Sequence, residues 1–125
     1  METQVKYFTV AEANRTLPLV KRIVRDIINT AYEIRSKSDL LGGHYHGNPD
    51  ILKMSSQINE YIKELEEIGC LYKDWNFQIG LVDFPALIND KEVYLCWRSD
   101  EKEIKFYHEL TNGYSDRKPI PPEYL

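Results

Sequence analysis

The 125-residue chain is poor in cysteine: it has only Cys70 and Cys96, too far apart for the Cys-x-x-Cys spacing of a zinc ribbon or a redox motif. Two thiols cannot staple a disulfide scaffold of this size. Six glycines and six prolines are too few for a collagen-like or low-complexity chain. No long apolar run is present, so no membrane span is expected. The opening Met1 to Phe8 lacks the basic and apolar regions of an export signal, and reduced thiols in a cytoplasmic setting are the expectation. Charge of one sign is also lacking. Sixteen basic against twenty acidic residues give a net charge of -4 and a pI of about 5.4, which removes the usual electrostatic footprint of a nucleic-acid binder. Phosphate loops, dinucleotide fingerprints and nucleophile elbows are absent, so no cofactor is expected.

What is present is a globular composition, 42% hydrophobic and 29% charged. At this length a chain buries roughly two thirds of the surface its unfolded form exposes, so one domain over residues 1–125 is expected. Residues 1–69 carry nine basic and ten acidic residues and residues 70–125 carry seven and ten, so neither half is a charged tail.

The halves differ in period. Thr9 followed by Glu12 forms a capping box, which starts a short helix near Val10. Pro18 predicts an end or kink at Leu17, with Thr16 as the cap of a longer helix. From Leu17 the apolar positions Val20, Val24, Ile27, Ala31 and Ile34 make one helical stripe. After a breaker-rich stretch from Gly42 to Pro49 the spacing returns as Ile51, Met54, Ile58, Tyr61, Leu65 and Ile68, closed by Gly69. Two such helices predict an antiparallel hairpin. Ile23, Ile28 and Ile62 lie beside the stripes and widen the apolar surface.

From Leu71 the pattern alternates, and strands are expected at about Ile79 to Leu87, Glu92 to Arg98 and Glu103 to His108. A two-residue turn at Asn89-Asp90 sets Val82, Phe84 and Ala86 opposite Trp97, Leu95 and Val93. A tight turn at Ser99 to Lys102 would set Ile104, Phe106 and His108 opposite the same three. Pro85 suits an edge strand, and the end from Lys118 to Pro122 should be extended and superficial. The expected fold is therefore α+β, a helical hairpin over residues 1–69 packed on a three-stranded antiparallel meander within 70–125.

Gly80-Leu81-Val82-Asp83-Phe84-Pro85-Ala86, then Glu92-Val93-Tyr94-Leu95-Cys96-Trp97-Arg98, Tyr107-His108, Gly113-Tyr114 and Arg117-Lys118-Pro119 closely resemble the bacterial domain-of-unknown-function 2203 family. The opening Tyr7-Phe8-Thr9-Val10-Ala11-Glu12-Ala13-Asn14 with Leu17-Pro18 is similar to that family's start, so the resemblance covers nearly the whole chain. It implies a small, soluble bacterial cytoplasmic protein and no assigned chemistry. The Gly- and His-rich segment from Leu40 to Pro49 departs from the family's usual long charged helices.

Five groups of residues are weighed as candidates for chemistry. The expected register puts Asp83, Cys96 and Lys105 in one row, with Arg98 diagonal to Asp83 and opposite Glu103, a set that could bind an anion or activate the thiol. Cross-strand ion pairs on an exposed face explain the same residues. His108 falls on the apolar face, where the loop at Gly113 could bring Arg117 to it around an anionic ligand; a neutral imidazole bonded to backbone is the structural alternative. His44 and His46 have His-x-His spacing and could share a metal with Asp50 or Asp39, although two imidazoles rarely suffice. Arg15, Lys21, Arg22 and Arg25 read as a solvated helix face. Trp97, Phe106, Phe84 and Tyr61 read as core rather than a ligand box.

Two functions compete. The first is a non-catalytic interaction or oligomerisation module, a homodimer formed through the helices at Ile23, Ile28 and Ile62. The second is a small enzyme or ligand sensor that binds an anion near His108 and Arg117, with Arg98, Asp83 and Cys96 as further candidates. No nucleophile with an attached base is identifiable, so no reaction can be written.

Overall fold

A computed structural model describes residues 5–125. Helix α1 (Val10–Leu40) and helix α2 (Pro49–Ile68) precede five strands, β1 (Leu71–Tyr72), β2 (Leu81–Ile88), β3 (Lys91–Arg98), β4 (Phe106–Glu109) and β5 (Lys118–Pro119). The strands form one sheet in chain order with every neighbouring pair antiparallel, so the fold is α+β. Among the described residues no helix is long and apolar enough to cross a membrane.

The capping box forms as the sequence predicts. Thr9 Oγ1 accepts from the Glu12 amide at 3.1 Å, and the Glu12 carboxylate accepts from the Thr9 amide at 3.2 Å. The predicted break at Pro18 does not occur, and α1 is one helix. Ala13, Leu17, Val20 and Val24 are buried on both sides of the proline, so packing carries the helix across the turn that lacks an amide bond. Thr16 is not a cap; its hydroxyl donates to the Glu12 carbonyl at 2.9 Å. Helix α2 starts at Asn48, whose side chain accepts from the Asp50 and Ile51 amides, and stops at Gly69, whose φ of 108° costs a glycine nothing.

One hydrophobic cluster joins the helices to the sheet. It takes in Ile23 and Ile62, while Ile28 packs against it half-buried. The three isoleucines predicted to face a partner therefore lie within this chain.

Asn89 and Asp90, with φ of 53° and 62°, make the two-residue turn between β2 and β3. The register follows: Val82, Phe84 and Ala86 stand opposite Trp97, Leu95 and Val93. Pro85 accepts from the Phe8 amide at 2.8 Å on the side away from β3, beyond the reach of two-residue β1, so its missing donor disturbs no ladder.

The register of β3 with β4 differs from the prediction by one residue. Val93 faces Glu109, Tyr94 faces His108, Leu95 faces Tyr107 and Cys96 faces Phe106. The reason is the connection over residues 99–105, which opens with a tight turn, the Glu101 amide donating to the Arg98 carbonyl at 2.9 Å, but does not pass straight from it into β4. Glu101 accepts from the Arg98 amide at 2.7 Å and from the Trp97 indole through its carbonyl at 2.9 Å, and the Ile104 amide is held by Asn14 at 2.8 Å. Ile104 thus fills the core from outside the ladder, and β4 starts at Phe106 instead of Glu103, with its register displaced by one residue. A slip of one turns every side chain over. Phe106 and His108 leave the helix-facing side, and Lys105 and Glu103 have no place in the predicted rows.

Strands β1 and β5 extend the predicted three-stranded meander. The C-terminal segment is not wholly superficial, because Lys118 and Pro119 pair with β4 and Ile120 is buried.

Candidate functional site

Alternation in β2 and β3 sends Val82, Phe84, Leu95 and Trp97 to the helices and Asp83 and Cys96 to the other face, where they are direct partners across the two strands. The late entry of β4 adds His108 to that face, diagonal to Cys96. Asp83, Cys96 and His108 are 2%, 1% and 3% exposed, and one ligating atom from each lies within 4.8 Å of the others. The predicted groups centred on Asp83 and on His108 are therefore one group.

His108 Nε2 lies 3.1 and 3.0 Å from the two Asp83 carboxylate oxygens, and Nδ1 lies 2.8 Å from the Glu109 carbonyl. A carbonyl only accepts, so Nδ1 carries a proton and donates it. Nε2 and Asp83 then share the remaining proton between them. Burial raises the Asp83 carboxyl above its ordinary value, and the attraction and hydrogen bond of His108 offset only part of that push. Burial, followed by the charge of Asp83, drives the Cys96 thiol up to about 12, although Arg117 beside it acts in the opposite direction. The thiol is protonated near neutrality, which corrects the expectation that a neighbouring cation makes it a thiolate.

Both predicted arginines are engaged elsewhere. The Arg117 fork grips Glu101 at 2.9 and 2.7 Å, with its guanidinium carbon 4.2 Å from the Phe106 ring centroid and 4.5 Å from that of Tyr114. Arg98 holds Asp100 at 2.6 and 2.7 Å and donates to the Tyr114 hydroxyl. These contacts fasten the segment around Tyr114 over the sheet face. A cavity of about 240 Å³ remains beneath it, with Asp83, Cys96 and His108 on its floor and Lys73, Tyr94 and Tyr114 on its walls. Sequence reasoning did not assign these wall residues to a site; Tyr94, two places before Cys96 and so on the same face of β3, was the local signal.

The His44 loop does not form such a group. Tyr45 stacks on His46 with centroids 4.8 Å apart, and Asp50 is held by Lys37 at 2.6 Å. Among the described residues Asp83, Cys96 and His108 are the only cluster of metal-ligating side chains.

No curated protein and no solved structure matches the chain. The sequence does match, over residues 6–120, a family described as an uncharacterized conserved protein, DUF2203, and that span takes in every residue of the cavity floor. The chain belongs to the DUF2203 family.

Proposed function

We propose that the chain is a small-ligand-binding domain whose site is the cavity over Asp83, Cys96 and His108. The observation that carries this reading is the convergence of a buried carboxylate, imidazole and thiol on one open hollow of about 240 Å³. Buried polar groups cost free energy unless each has a partner, and structural pairing alone does not explain a cavity above them. Binding rather than catalysis fits best, since the thiol is protonated and both His108 nitrogens are committed. The expected anion at His108 and Arg117 loses support, because Glu101 occupies the Arg117 fork and the Asp83 carboxyl stands at the centre of the floor. A cation or a neutral hydrogen-bonding ligand suits the floor better. Free, buried Cys70 and Cys96 are in keeping with a reducing cytoplasmic setting.

Thermal denaturation across a panel of small cations and neutral polar solutes tests the reading. A ligand at about 100 times its Kd adds about 2.7 kcal/mol of stability, and Asp83→Asn should abolish that gain. If no member of the panel raises the midpoint, the site reading fails.

Self-association is the second reading. It now rests on Tyr32, Leu40 and Leu52, which are 66%, 87% and 58% exposed around the α1–α2 connection, instead of on the buried isoleucines. Light scattering that gives twice the chain mass at tens of micromolar would support a homodimer, and the monomer mass would remove it.

A further inference from the structure

Resting on the cavity reading above, we infer that the ligand is a divalent transition metal of zinc's class, held by the Asp83 carboxylate, the Cys96 sulfur and His108 Nε2. Three strands each deliver one donor to the same point, and the donor set mixes thiolate, imidazole and carboxylate. That mixture selects a borderline-soft ion and disfavours magnesium and calcium, which take oxygen shells.

The tautomer is already correct for coordination. Nδ1 donates to the Glu109 carbonyl at 2.8 Å, so Nε2, which faces Asp83 and Cys96, is the nitrogen that offers a lone pair once the proton it shares with Asp83 has left. A backbone partner on the far nitrogen is the usual way a protein orients a ligating imidazole. Tetrahedral zinc with bonds of about 2.0–2.3 Å sets its donor atoms about 3.3–3.8 Å apart. The three donors here lie within 4.8 Å of one another and Nε2 is 3.0 Å from Asp83, so entry of an ion asks for shifts of about 1 Å or less.

Charge closes the argument. A carboxylate and a thiolate with a neutral imidazole carry two negative charges, which a dication cancels in a buried place. Binding releases to solvent the thiol proton and the proton that Asp83 and His108 share. With three protein donors the fourth position opens on the cavity, whose walls include Tyr94 and Tyr114.

Cobalt(II), zinc's spectroscopic substitute, tests the inference on the full chain. One equivalent should produce a thiolate-to-cobalt charge-transfer band and the visible bands of a four-coordinate site, and zinc should displace it. Cys96→Ser should remove the charge-transfer band, and Asp83→Asn or His108→Gln should weaken binding by roughly 100-fold or more. His44→Gln combined with His46→Gln should change nothing. X-ray absorption of the zinc-loaded unaltered protein needs no variant to fold: one sulfur at about 2.3 Å beside nitrogen and oxygen at about 2.0–2.1 Å is expected. A shell of nitrogen and oxygen alone overturns the inference, as does loss of binding only in the His44 and His46 variant. If the chain takes up no metal but an organic solute still raises the melting temperature through Asp83, the metal falls and the cavity reading stands; if neither binds, both fall.

Discussion

Asp83 and His108 meet across the intervening strand β3, with Nε2 3.0 and 3.1 Å from the two carboxylate oxygens and neither residue more than 3% exposed. Each is the other's side-chain partner in a buried place. Asp83→Ala should therefore cost about 3–5 kcal/mol, since it leaves a buried imidazole nitrogen unpaired. Asp83→Asn should cost about 1 kcal/mol, because Nδ1 holds its proton against the Glu109 carbonyl and Nε2 can accept from the asparagine amide. Urea denaturation of the two variants checks this, and equal losses would refute the proton assignment.

Arg117 and Glu101 join the segment before β5 to the connection before β4, with side chains 13% and 17% exposed. The guanidinium also lies over Phe106 and Tyr114, so its planar fork and its stacking surface both contribute. Arg117→Ala should lose about 3 kcal/mol, and Arg117→Lys should recover less than half of it, because an ammonium keeps the charge without the fork or the stacking. Full recovery with lysine, measured as the same denaturation midpoint, would reduce the pair to simple charge attraction.

The elements set by local chemistry were legible in the sequence. The Thr9 and Glu12 cap, the helical stripes, the Asn89-Asp90 turn and the pairing of Phe84 with Leu95 each depend on residues within one turn or one hairpin. What was not legible depends on distant partners. Pro18 stays helical because of core packing, and strand β5 exists because Phe106 and Tyr107 offer it an edge. The candidate site shows the same division. Asp83 and Cys96 were placed together by a two-residue turn, but His108 reached them only through a one-residue shift imposed by Asn14 on Ile104, 90 positions apart in the chain. That shift moved His108 from the apolar face to the polar one and so merged two candidate sites.

Trp97 is 1% exposed in the cluster between sheet and helices, and its indole donates to the Glu101 carbonyl at 2.9 Å. Trp97→Ala should cost about 3–5 kcal/mol through lost transfer energy and the cavity left behind. Trp97→Phe should cost less, since it keeps most of the ring and gives up the hydrogen bond. A midpoint unchanged by Trp97→Ala would contradict the pairing of Val82 with Trp97.

Burial drives the thiols of both Cys70 and Cys96 up to about 12. At pH 8 the thiolate fraction of each is then on the order of 10⁻⁴, and burial, 0% and 1% exposed, hinders the reagent as well. Iodoacetamide should leave the folded chain unlabelled over a time in which the urea-unfolded chain takes two labels. Labelling of one cysteine in the folded protein, read by mass spectrometry, would show that its cover opens.

Asp74 supports the turn that leads into β2. Its Oδ2 accepts from the amides of Gln78, Ile79 and Gly80 at 2.8, 2.9 and 3.0 Å, and Oδ1 accepts from Asn76 at 3.2 Å. Partial burial pushes this carboxyl up, but the four amide bonds outweigh it and hold the group below its ordinary value. A carboxyl lowered in the folded state stabilises above its unfolded pKa of about 3.9, and that stability is lost as pH falls through the lower folded value. Asp74→Ala should therefore be about 1–3 kcal/mol less stable than the parent at pH 7. The gap between the two proteins should narrow below about pH 4, as protonation removes from the parent what the substitution has already removed from the variant. Denaturation midpoints at several pH values read the gap directly, and a gap that stays constant down to pH 2 would show that the amides bind the neutral carboxyl as well as the carboxylate.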